Sequence, residues 1–239
     1  MPYRRLPNTD KARIRALKLA VEKDDMYNMH ELAISLKTMN EARNFLSRFE
    51  GAQTYYKQCF DNQISSNRKY QGYIKIARLY VSHFIQVLNL AVLRSEIKEE
   101  AKKIYGLETG CYNVPDLTSE AAIAEWGQKI INGEKRRLEK GGAPIYNPAI
   151  AKVSVHYDIF MEAYEKQKSL QNITARSLDS LAAMRDKADE IILEIWNQTE
   201  KKFEYLPYNE KMIKCKEYGV VYYYRTVEKK KMKEKNDIY

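Results

Sequence analysis

The sequence predicts an all-α fold: a helical bundle built on two long antiparallel helical segments, residues 38–105 and 147–206, with shorter helices at its periphery. Three observations carry that expectation. Glycine and proline are sparse, nine and six in 239 residues, whereas sandwiches and barrels need many tight turns. Apolar residues recur at alternating steps of three and four through both segments, the mark of a seam facing another helix. Residues 73–93 (YIKIARLYVSHFIQVLNLAVL) are apolar on nearly every side, as in a helix enclosed by other helices. Read as a membrane span, that stretch is too short: Lys75, Arg78 and Arg94 bracket an apolar run of about 15 residues, against about 18 to 20 needed to cross.

In chain order, Asn8, Thr9 and Asp10 offer an N-cap for a basic amphipathic helix over about 9–22. Its apolar face holds Ile14, Leu17 and Val21, and its cationic face Lys11, Arg15 and Lys18. A short helix is expected over 29–36. Thr38 and Glu41 then form a capping box. From Phe45 the first seam runs through Phe49, Ala52, Tyr56, Cys59, Tyr70, Tyr73, Ala77, Tyr80, Phe84, Val87 and Ala91, with the polar Gln63 and Ser66 at its middle. Those polar steps allow two architectures. Each segment is either one continuous helix or a hairpin folded at its midpoint, the latter giving a four-helix bundle.

Gly106, Gly110 and Pro115 mark an irregular connection, and Thr118 or Ser119 caps the next helix, which Gly141 and Gly142 stop. Asn147 and Pro148 read as N-cap and first helical residue of the second long segment. Its seam includes Val153, His156, Phe160, Gln167, Thr174, Ser177, Leu181 and Ile195, and no glycine or proline intervenes before Pro207. A short helix closed by Gly219, an extended segment 220–224 (VVYYY) and a basic tail complete the chain. The whole, 1–239, is expected to form a single helical domain, with the bundle body at 38–206 and the appended C-terminal part at 207–239.

The net charge of +9 sits at the ends. Residues 1–20 hold six cations against Asp10, residues 208–239 hold nine cations against five acids, and the middle is close to neutral. Cys59, Cys111 and Cys215 are odd in number and far apart, as free thiols in a reducing compartment would be. The first ten residues have no apolar h-region behind their arginines. These features place the expected location in the cytoplasm.

The sequence shows no catalytic signature. Ferritin-like E-x-x-H pairs are missing, since Tyr27, Tyr80 and Val153 stand three residues before His30, His83 and His156. His83 and His156 read as core histidines. Neither a phosphate loop, a dinucleotide fingerprint, a nucleophile elbow nor a zinc-protease motif occurs, so no cofactor, metal or catalytic residue is assigned. Tyrosine is the unusual abundance, 19 against 6 Phe and 2 Trp, and a phenol suits half-buried seams and interfaces.

The expected function is therefore that of a non-enzymatic helical interaction protein that self-associates or binds a protein partner, with a coiled-coil-like seam. The alternative is nucleic-acid association through basic ends. The candidate surface for that role is Arg4, Arg5, Arg13 and Arg15 near one end, with Tyr222, Tyr223, Tyr224, Arg225, Lys229, Lys230 and Lys231 near the other. The loop 141–148 (GGAPIYNP), rich in glycine and proline around an aromatic, is a second candidate contact.

Overall fold

The computed structural model describes residues 3–25 and 33–224, the side chains of Asp24 and Asp25 excepted. Its elements run β1 (Tyr3–Arg4), α1 (Asp10–Asp25), α2 (Leu36–Leu93), a 3₁₀ helix (Glu99–Tyr105), α3 (Glu120–Glu139), α4 (Ile150–Ala182), α5 (Arg185–Lys202), α6 (Tyr208–Glu217) and β2 (Tyr222–Tyr223). The fold is all-α, with one two-stranded ribbon among the described residues. The chain forms two compact units, Met1–Gln58 with Ala175–Tyr239, and Cys59–Thr174.

The first segment is continuous helix through its polar middle: residues 61–68 stay inside α2, and Gln63 and Ser66 are half-buried. The second segment breaks, but not at its polar middle. Thr174 and Ser177 lie buried within α4, where the Thr174 hydroxyl donates to the Leu170 carbonyl at 2.9 Å. An intrahelical bond of this kind satisfies a buried hydroxyl without unwinding the helix. The interruption falls instead at Ala183 and Met184, where Met184 N–H bonds three residues back, to Leu181, at 3.2 Å.

In the first unit, α1, the start of α2, α5 and α6 enclose a core centred on Leu17, Phe49, Ile192, Trp196 and Tyr218. The Thr9 hydroxyl accepts from Ala12 N–H at 3.2 Å at the head of α1. The expected Thr38–Glu41 box does not form. Ser35 takes the capping role, its hydroxyl accepting from Thr38 N–H at 3.3 Å, because Thr38 already lies in the first turn of α2. Glu41 pairs with Lys187 of α5 at 2.7 Å. Of the short helix expected over 29–36, residues 29–32 lie outside the described residues, and Leu36 belongs to α2. Gly219 ends α6 at a φ of +83°, and a Cβ there would stand 2.9 Å from the Ala16 carbonyl oxygen. Left-handed backbone at so close an approach calls for glycine.

In the second unit the later part of α2 runs antiparallel to the first part of α4. Tyr80 stacks on His156 at 4.2 Å and Tyr70 on Phe160 at 6.2 Å, and all four are seam residues. Ser119 caps α3, accepting from Ala122 N–H at 3.1 Å, and Gly141 follows its end at a φ of +84°. α3 lies against aromatic rings at two glycines. A Cβ at Gly127 would meet the Tyr157 ring at 2.3 Å, and one at Gly133 would meet the Tyr105 ring at 2.4 Å. α4 begins at Ile150, two residues after Pro148, which follows Asn147 through a cis peptide bond.

Candidate functional site

Three features of the described residues present chemistry to a partner: the outer face of α2, the ribbon where the ends meet, and a cavity beside the 141–148 loop.

The apolar stretch of α2 is not enclosed on every side, as its composition suggested. Val81, Phe84, Ile85 and Leu88 are fully buried, yet Ile76, Leu79, Leu90 and Leu93 are 41, 63, 50 and 58 % exposed. His83 and Gln86, between them, are exposed as well, so His83 is not a core histidine. These six side chains recur at steps of 3, 4, 3, 4 and 3 and so form one stripe along a single helical face. The order is apolar, apolar, polar, polar, apolar, apolar, which reads the same in both directions. No charged residue lies between Arg78 and Arg94. By composition and length α2 also contains an 18-residue window of mean hydropathy 1.5, apolar enough to cross a membrane, of which 44% is buried.

The structure brings part of the predicted terminal surface together. β1 and β2 pair antiparallel, setting Tyr3 opposite Tyr223 and Arg4 opposite Tyr222. The Arg5 guanidinium lies 5.4 Å over the Tyr223 ring. Arg4, however, donates to Asn197 at 2.8 Å and stands 3.4 Å from Glu200, which also accepts from the Tyr222 hydroxyl at 2.6 Å. Burial foremost, with Glu200 beside it, pushes the Tyr222 phenol up from its ordinary value.

Arg13 is similarly engaged inside the protein. Its Nε and Nη2 donate to the two carboxylate oxygens of Asp189 at 2.8 Å each, while Arg185 makes the same fork on Asp10 at 2.9 Å. The Asp189 hydrogen bond outweighs burial and raises the Arg13 pKa. Tyr224 donates to the Met212 sulfur at 3.5 Å. Arg5 and Arg15 are the exposed arginines of the predicted set, and Arg225, Lys229, Lys230 and Lys231 lie outside the described residues.

The cavity, about 880 Å³, lies in the second unit between the end of α2, the end of α3 and the 141–148 loop. One of its walls is Arg137, 6 % exposed, held by a buried network. Arg137 Nη2 donates to Glu134 at 2.8 Å and to the Ala143 carbonyl at 2.7 Å. Its Nε donates to the Tyr105 hydroxyl at 2.7 Å and to Glu134 at 3.0 Å, and Tyr105 in turn donates to Glu134. Burial opposes the Arg137 charge, but Glu134 and Tyr105 outweigh it and raise its pKa. Burial, followed by Glu134, drives the Tyr105 phenol up.

Sequence reasoning missed this network, because Glu134 and Arg137 at i,i+3 in a charged helix look like a solvated pair. Gly133, which admits the Tyr105 ring, was the available signal. Among the described residues no group of three His, Cys, Asp or Glu is placed to hold a metal ion. No protein-family model, curated protein or solved structure matches the chain.

Proposed function

We propose that this is a helical interaction protein that self-associates, two copies pairing antiparallel through the outer face of α2. The observation that carries this reading is the symmetry of the exposed stripe. An isologous two-fold contact requires one patch complementary to itself. An axis between His83 and Gln86 sets Ile76 against Leu93 of the second copy, Leu79 against Leu90, and His83 against Gln86, where an imidazole N–H can donate to the amide oxygen. Apolar meets apolar, and the polar pair falls at the centre, where it selects register.

The magnitude predicts a weak dimer. Full burial of a leucine-sized side chain is worth about 1.5–3 kcal/mol, so four half-exposed side chains per copy yield about 8 kcal/mol in all. Association itself costs about 4–15 kcal/mol. The pair therefore forms with rising concentration rather than permanently.

Sedimentation velocity up to about 1 mM tests this, with the expected Kd at the upper end of that range, since at most about 4 kcal/mol remains after the association cost. The wild type shifts from monomer to dimer, and L79E/L90E, altered only at exposed positions, stays monomeric with an unchanged circular dichroism spectrum. A wild type that is monomeric throughout and floats with anionic phospholipid vesicles would replace this reading with a membrane-surface one. For the nucleic-acid alternative less speaks, because Arg4 and Arg13 are matched by acids of the first unit. Salt-dependent binding of duplex DNA that R5E/R15E abolishes would restore it.

A further inference from the structure

The geometry points to the cavity beside Arg137 as a binding site for a small organic phosphate, a function separate from self-association. Four cations line it, Arg94, Lys98, Arg137 and Lys140, against one lining carboxylate, Glu96. Arg94 and Glu96 satisfy each other, with bonds of 2.8 and 3.1 Å. Lys98 and Lys140 are exposed and form no ion pair among the described residues. The cavity thus carries two uncompensated positive charges at its rim, the number a phosphate dianion requires.

Arg137 supplies the fixed element. Its Nε and Nη2 are committed to Tyr105, Glu134 and the Ala143 carbonyl, which hold the guanidinium plane rigidly. Nη1 forms no hydrogen bond among the described residues. A Cβ at Gly142 would lie 2.6 Å from that nitrogen, so glycine at 142 is what leaves it uncovered. A buried, oriented N–H donor facing a cavity is pre-organised for an oxyanion, because the protein has already met the ordering cost. Glu134 neutralises much of the Arg137 charge, so Arg137 acts by directed hydrogen bonding while Lys98 and Lys140 provide the field.

Apolar side chains of Val87, Ala91, Ile97 and Ile145 form part of the wall, with Asn147 beside them and Tyr146, 80 % exposed, at the edge. A volume of about 880 Å³ far exceeds a bare phosphate. It suits a phosphate monoester with an apolar or aromatic body, which such walls desolvate.

Calorimetric titration of the full chain with phenyl phosphate, inorganic phosphate and benzoate tests the assignment. Phenyl phosphate is expected to bind saturably, more tightly than inorganic phosphate because of its ring, and at least about tenfold more tightly than the singly charged benzoate. K98E/K140E changes exposed side chains and keeps the fold, and it should lose at least about tenfold in phenyl phosphate affinity. Gly142→Ala should weaken binding by covering Nη1, while an equal circular dichroism spectrum shows that the unit remains folded. Absence of saturable binding at millimolar phenyl phosphate, equal binding of benzoate, or undiminished binding by K98E/K140E would each overturn the proposal.

Discussion

At the scale of single residues, the structure separates charges that work from charges that are merely present. Glu134 is fully buried and holds Arg137 and Tyr105, so Glu134→Gln leaves a buried guanidinium without its counter-charge. Breaking such a pair costs about 3–5 kcal/mol, which for a chain of this length lowers Tm by about 6–20 °C. Scanning calorimetry should record that drop, and E134L/R137M, which removes both charges, should recover most of it. Glu217 behaves differently, being partly exposed. The Lys23 ammonium, paired with it at 2.8 Å, holds its pKa below the ordinary carboxylate range, with Lys214 adding to the effect. An acid whose folded pKa is depressed adds stability above its unfolded pKa and loses it as pH falls through the folded value. The Tm difference between the wild type and E217Q should therefore be constant above the ordinary glutamate range and close as the pH falls below it. A difference independent of pH would show that the Lys23 contact acts through packing alone.

Among the helices, α3 shows how two glycines outweigh helix propensity. Replacing glycine by alanine inside an exposed helix gains about 1 kcal/mol. At Gly127 the new methyl would enter the Tyr157 ring, and at Gly133 the Tyr105 ring, where overpacking costs about 1–3 kcal/mol. Urea unfolding of Gly127→Ala should show a net loss of stability, and a net gain would mean that the Tyr157 ring moves aside freely. Much at this scale is legible from sequence. Most seam residues of α2 and α4 face inward as their spacing implies, the exposed Tyr73 excepted, Ser119 starts α3 and Gly219 follows α6 where expected, and 222–223 form the extended piece. Other features are not legible, for physical reasons. Residues 79–93 carry no Asp, Glu, Lys or Arg on any side and large apolar residues on every side, so hydropathy could not tell which side the rest of the chain would cover. Arg13 reads as a free cation because Asp189, its partner, stands 176 residues away. The break at Met184 carries no glycine or proline to announce it.

For the molecule as a whole, the exposed surface of α2 is the feature with the largest consequence. A stripe of four large aliphatic side chains on a charged protein is a cost in water that a partner removes. Its reversal symmetry is what the proposed pairing with a second copy rests on, and the weak energy would make such pairing responsive to concentration. Within the basic N-terminal segment, acids of the first unit already meet Arg4 and Arg13, while Arg5 and Arg15 stay exposed.

The most direct measurement is a cross-link across the inferred axis. In a C111S background, to remove the half-buried native thiol, L79C and L90C proteins are mixed and treated with a bismaleimide of about 8 Å reach, matching the about 8–10 Å between packed helices. Antiparallel pairing predicts a covalent dimer from the mixture and little from L79C alone, whose two sites would stand about 16 Å apart along the helix. A dimer from L79C alone, or none from the mixture at millimolar protein, would contradict the account.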